Sequence, residues 1–287
     1  MRLECVTVCL EYADFLEWSI RHNQAHFDDW VVVTAIDDKA TRTVCDRYGV
    51  RVAFCPHFTR TGSRFNKALG INQGLSHLTC GDWMVHMDAD CILPRHFRKH
   101  VNNIALNTEC IYGIDRVSCP NYEEWIRYQT QLNPYEKGYF IHPPGDWKVG
   151  TRMVHFDYGG WTPLGFFQLW HADSGITRYP TVSSANAEHT DVLHGLQWSR
   201  ENRVLLPEVI GIHIGSEPGP MGVNWSGRRT KVFGNGKENW ALRPRDPAFE
   251  HAPNRLNGKP HLAGCPATKT HRCTCSSFEH GNNVGSA

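Results

Sequence analysis

At 287 residues, with hydrophobic residues at 40% and charged residues at 21%, the chain has a globular composition that excludes wholesale disorder and a fibrous repeat. A net charge of +1 excludes a global field directed at a polyanionic partner, so any basic surface is local. The longest apolar run, Trp30 to Ile36 with Thr34 inside it, falls far short of the roughly 20 residues a bilayer demands, so neither a signal peptide nor a membrane span is expected.

Short apolar runs alternate with helical stretches, the pattern of βαβ units and a mostly parallel sheet flanked by helices. Leu3–Leu10 reads as the first strand. Ala13–Asn23 reads as a helix, Trp30–Ile36 as a strand ending at Asp37-Asp38, and Thr41–Tyr48 as a helix closed by Gly49. Val50–Cys55 is a third strand, and Phe65–Leu78 a helix in spite of two glycines. The strand Trp83–Asp88 follows, and alternation places Asp88 and Asp90 on one face. Phe97–Leu106 reads as a helix and Cys110–Val117 as a strand, after which residues 118–165 lack clean periodicity. Gly165–Trp170 is a strand, Asp191–Trp198 a helix, and Arg203–Ile214 a strand. Beyond Ser216 the composition turns to Gly, Pro, Asn and basic residues. The expected domains are therefore 1–216 and a loop-rich basic extension, 217–287.

Two carboxylates at i and i+2 at a strand end suit Mg²⁺ or Mn²⁺, because hard cations take oxygen ligands and leave positions for substrate phosphates. Ligands in open α/β sheets gather at the carboxyl ends of strands, where both Asp37-Asp38 and Asp88-Ala89-Asp90 fall. Alone, the motif also serves phosphohydrolases. The aspartates 37 and 38 also suit a turn or a helix N-cap.

The stretch Val31–Val52 resembles the second βα unit of the GT-A family-2 glycosyltransferases, in which the acidic pair binds the base and ribose of a nucleotide sugar. Phe65–Pro94 looks closer still to the β-1,4-galactosyltransferase group, whose Phe-Asn-Arg-Ala helix precedes a hydrophobic strand and an Asp-x-Asp. Here the helix reads Phe65-Asn66-Lys67-Ala68, followed by Asn72 and Gly74. Lys67 replaces the family's arginine with a point charge. The resemblance implies a GT-A, Rossmann-like fold. It implies transfer of a sugar from a nucleotide-diphosphate donor, UDP above all, to a hydroxyl, with inversion as the expected stereochemistry.

Donor contacts then fall to Thr7, Asp37, Asp38, Arg64, Asn66, Lys67, Asp88 and Trp161, the last as a stacking platform. Metal contacts fall to Asp88, Asp90 and His213, with Asp90 the direct ligand and Asp88 nearer the ribose or a metal-bound water. Asp191, and second Glu188, stand where the family places its catalytic base. A phosphohydrolase would carry Asp-x-Asp on the first strand. A non-catalytic GT-A-like binding protein is the remaining alternative.

Residues 228–272 hold ten basic side chains against three acidic ones, 10 − 3 = +7. With Arg228, Arg229 and Lys231 steering phosphates, the hydroxyl acceptor could be a hydroxymethylated base in nucleic acid; the commoner alternative is a glycan, with the charge run solvated. His261, Cys265, His271, Cys273 and Cys275 suit a structural Zn²⁺ chemically, though not in the usual paired spacing. The 11 cysteines, mainly single residues in apolar runs, point to a reducing cytoplasm.

Overall fold

The computed structural model describes residues 1–58, 65–119, 122–131, 148–149, 154–155, 160–163, 165–181 and 190–214. All of them fall within one compact unit, Met1–Leu242. The boundary expected at residue 216, the basic extension and the tail histidines and cysteines lie outside the described residues, as do Arg64 and Glu188.

In chain order the elements are β1 Leu3–Val8, α1 Ala13–Asn23, β2 Asp29–Thr34, α2 Lys39–Tyr48, β3 Arg51–Phe54, α3 Lys67–Leu75, β4 Trp83–Met87 and β5 Cys91–Ile92. There follow α4 Phe97–Asn103, β6 Ile111–Cys119, α5 Tyr122–Gln131, β7 Lys148–Val149, β8 Val154–His155, β9 Gly160–Trp161, β10 Phe167–His171, α6 Thr190–Gly195 and β11 Arg203–Ile214. The main sheet runs β3-β2-β1-β4-β10-β6-β11-β5, with β7 on β6. Strands β3, β2, β1 and β4 are parallel, as are β6 and β11, while β10 runs antiparallel to both of its neighbours. The fold is thus mixed α/β, its sheet mixed and flanked by helices as expected, with β10, β5 and β7 supplying the antiparallel pairs.

Strand β1 is buried along its whole length, as a strand covered on both faces must be. Leu3 and Cys5 pack with Leu16, Ile20, Cys45 and Phe97 of α1, α2 and α4 on one face. On the other, Val6 and Val8 pack with Ile71 and Leu75 of α3. Gly74 is what lets α3 lie this close: a Cβ there would stand 2.8 Å from Val33 Cγ2 and nearer still to Val6 Cγ2. Gly74→Ala is therefore expected to lower stability by about 1–3 kcal/mol through overpacking, read as a shifted denaturant midpoint. An unchanged midpoint would show that α3 can lift without cost.

Helix α1 and strand β11 occupy the spans their patterns indicated, and Gly49 ends α2 in the left-handed region at φ 66°. Helix α3 starts at Lys67 because Asn66 caps it, its Oδ1 accepting the Leu69 N–H at 3.2 Å, and it ends at Leu75, before the expected Leu78. The segment 118–165 contains α5, with Trp125 and Tyr128 buried one turn apart.

Candidate active site

At the carboxyl end of β4 the chain turns sharply. The Cys91 N–H donates to the Asp88 carbonyl at 3.2 Å, and the Asp88 N–H donates to the Phe166 carbonyl at 3.2 Å. A tight turn between β4 and β5 therefore carries the two aspartates, and they do not continue one strand's alternation as the sequence suggested. Aspartate suits such turns because its side chain can satisfy local backbone groups. Strand β5 pairs with β11 so that Cys91 faces His213, and His213 Nε2 lies 3.2 Å from Asp90 Oδ2. Helix α1 fixes this turn from beneath. Asn23 Nδ2 donates to the Cys91 carbonyl at 2.7 Å, its Oδ1 accepts the Leu93 N–H at 2.8 Å, and the Ser19 hydroxyl donates to the same Cys91 carbonyl at 2.9 Å.

Lys67, the first residue of α3, makes an ion pair with Asp88, and its side chain is only 12% exposed. Asp191 stands in the first turn of α6, and its Oδ2 accepts the Gly165 N–H at 2.5 Å. A Cβ on Gly165 would meet the Asp191 Cβ at 2.8 Å, so only glycine admits this approach. The Asp191 carbonyl accepts Gln168 Nε2 at 3.0 Å, and the Tyr179 hydroxyl donates to Gln168 Oε1 at 2.5 Å. Asn72 of α3 holds Tyr179 through both backbone groups, at 2.9 and 2.8 Å. One hydrogen-bonded chain thus ties the helix carrying Lys67 to the helix carrying Asp191.

The charges act on one another. Burial lifts the Asp88 pKa to about 6 against the pull of Lys67, and the Asp90 and Asp191 carboxylates add to the lift. Asp90 is also penalised by burial, yet His213 and then Lys67 hold its pKa below the usual carboxylate value. Burial works against the Lys67 charge, but Asp88, Asp191 and Asp90 together raise its pKa. Arg116 on β6 is a second cation, its charge disfavoured by burial and favoured by the same three carboxylates. Its guanidinium lies 5.3 Å from the centre of the Phe166 ring. His86, beneath Asp88, is fully buried and neutral: burial first, then the Lys67 charge, pushes its pKa far down.

Does this site suit a divalent cation? Three carboxylates face two cations, 2 − 3 = −1, a charge that would repel a diphosphate unless a further cation joined them. Asp90 Oδ1 is buried without a hydrogen-bond partner. Oxygen donors beside an imidazole fit Mn²⁺ or Mg²⁺. Among the described residues no three His, Cys, Asp or Glu side chains already stand in a ligating arrangement. Asp90 and His213 are together, and Asp88 is engaged by Lys67.

The other expected donor contacts sit differently. Thr7 is fully buried, and its hydroxyl accepts the Trp30 indole N–H at 3.1 Å. Asp38 is the N-cap of α2, accepting from Thr41 N at 3.1 Å and Thr41 Oγ1 at 2.7 Å. It also accepts from Thr34 Oγ1 at 3.0 Å and Glu11 N at 2.8 Å. Four donors leave that carboxylate little capacity for a ribose, whereas Asp37 beside it is exposed. Asn66 is occupied as the cap of α3. Of Trp161 only the backbone, in β9, is described. Sequence reasoning missed Arg116, Gln168, Tyr179 and the role of Asn72. The available signal for Arg116 was a charged pair, Asp115-Arg116, inside an otherwise apolar strand.

No family model matches the chain, and no curated protein does. Among solved structures, one similar chain is the glucosyl-3-phosphoglycerate synthase of Mycobacterium tuberculosis in complex with Mn²⁺, uridine-diphosphate-glucose and phosphoglyceric acid. The identity is 17%, 40% of this chain and 44% of that one are covered, and the TM-score is 0.32. Another is the mannosyl-3-phosphoglycerate synthase of Rubrobacter xylanophilus, at 17% identity, 40% of each chain and a TM-score of 0.32. The chain spans less than half the length of either. Likeness at this level decides neither fold nor activity, and the functional reading rests on the site's own geometry.

Proposed function

We propose that the chain is a metal-dependent glycosyltransferase of GT-A type, moving a sugar from a nucleoside-diphosphate donor, UDP-linked, to a hydroxyl acceptor with inversion. The observation that carries this reading is the meeting of Asp88, Asp90, Lys67, Arg116 and Asp191 in one cluster at the carboxyl end of β4, with His213 on Asp90. A donor diphosphate needs cations where negative charge builds as the sugar departs, and a carboxylate placed to take the acceptor's proton.

Asp90 and His213 would hold the metal, with Asp88 at its edge. A divalent cation bound there supplies neutralisation of the leaving diphosphate. Lys67 and Arg116 are the chain's own positive charges for the same group. Asp191 would accept the proton of the acceptor hydroxyl; its Oδ2 is oriented by the Gly165 N–H, and its backbone by Gln168. Exposed Asp37 and the 70% exposed Ile36, at the end of β2, are the surface left for base and ribose. Arg228, Arg229 and Lys231 lie outside the described residues, and among the described residues no feature favours a nucleic-acid acceptor.

Incubation with UDP-sugars and Mn²⁺ tests the reading, release of UDP being the signal. Metal-dependent release that stops with a chelator is expected. No release from any nucleotide sugar, with or without hydroxyl acceptors, would remove the proposal.

A further inference from the structure

We infer that Lys67 is the site's resident counter-cation, which a divalent metal must displace from Asp88, so that metal and diphosphate bind cooperatively. This rests on the donor-site reading above.

Three observations converge on it. The Lys67 ammonium is paired with Asp88 and also lies in the field of Asp191 and Asp90, with its side chain almost wholly withdrawn from solvent. It is therefore no solvated helix charge. The backbone that carries it is fixed, by the Asn66 cap, by Asn72 on the Tyr179 backbone and by the close seat of Gly74 on β1 and β2. Only the flexible four-carbon stem is left to move. Finally, the two aspartates differ in their partners: Asp90 holds His213 on one oxygen and keeps the other buried without a hydrogen-bond partner, while Asp88 is paired with Lys67.

An ion entering beside Asp90 meets a like charge at Asp88. Two cations a few ångströms apart in a partly buried site repel strongly. When a donor diphosphate arrives, it offers the ammonium a new anionic partner, and Asp88 is released to the metal. Each ligand thus removes an obstacle to the other, which is a coupling free energy and acts in both directions.

The test is a titration of Mn²⁺ into the full-length protein, followed by the electron paramagnetic resonance signal of the free ion, with and without UDP. Lys67→Met removes the charge and keeps the stem; Lys67→Arg keeps the charge. Without nucleotide, Lys67→Met is expected to bind Mn²⁺ about tenfold or more tightly than the native protein, and Lys67→Arg about as the native protein does. Addition of UDP should tighten Mn²⁺ binding in the native protein and do so less in Lys67→Met. Asp90→Asn in the Lys67→Met background should abolish the gain.

Equal Mn²⁺ affinity in Lys67→Met and the native protein would overturn the inference. So would tightening by Lys67→Arg, or a gain that survives Asp90→Asn. A gain in Lys67→Met without any response to UDP would keep the displacement of Lys67 by metal but overturn its cooperativity with diphosphate, and would count against the donor reading.

Discussion

Asp90→Asn is expected to lower sugar transfer by roughly 10²–10³-fold with only a modest loss of stability. Asparagine keeps the shape of the side chain and an oxygen toward His213 Nε2, now 3.2 Å from Asp90 Oδ2, but it removes one of the carboxylates that act on Asp88. His213 and Lys67 favour the Asp90 charge, so its loss costs some stability, but that loss also relieves Asp88, whose pKa Asp90 lifts. A group retained for the fold would cost mainly stability when neutralised; a group retained for a cation should cost mainly activity. Turnover of donor and a thermal melt, measured on the same preparation, distinguish them. A melt lowered by many degrees with activity nearly intact would assign Asp90 to structure.

Asp191→Asn is expected to reduce turnover about 10²–10⁴-fold, with the donor KM little changed. Asparagine can still accept the Gly165 N–H, and the Gln168 bond goes to the Asp191 backbone, so the position is preserved and the proton acceptor alone is lost. Steady-state kinetics with a fixed acceptor and varied donor check this. A rise in donor KM at constant kcat would make Asp191 a binding group. Unchanged kinetics would remove it from the mechanism and with it the case for inversion at this residue.

Much of the fold could be read in the sequence because its signals are local. Ala13–Asn23 has an apolar face at helical spacing, Gly49 marks a left-handed cap, and the Val, Leu and Ile run of Arg203–Ile214 is a strand. Local signals also misled. Asp37 and Asp38 look alike, yet one is exposed and the other is consumed as a cap, because capping geometry selects a single position before α2. Thr7 lies on the strand face that meets Trp30, and strand parity places it in the core.

The parts of the site that stayed hidden are those made by distant residues. Gln168 joins Tyr179 to Asp191, and Asn72 reaches Tyr179 across 107 positions; no periodicity encodes such meetings. Arg116 enters the cluster only because β6 pairs with β11, which places it opposite Gly211. The Asp88-Ala89-Asp90 motif was visible, but the Lys67 pair that sets its charge state depends on how closely α3 seats on β1 and β2.

The most direct measurement is a thermal-shift comparison of nucleotide sugars with and without Mn²⁺. A ligand bound only by the folded protein stabilises it by mass action, about 2.7 kcal/mol at one hundred times its Kd. A UDP-sugar that raises the melting temperature with Mn²⁺ present, and fails to do so without it or in Asp90→Asn, is the predicted result. A melting temperature indifferent to every nucleotide sugar, with metal and without, would contradict the site as a metal-dependent donor pocket.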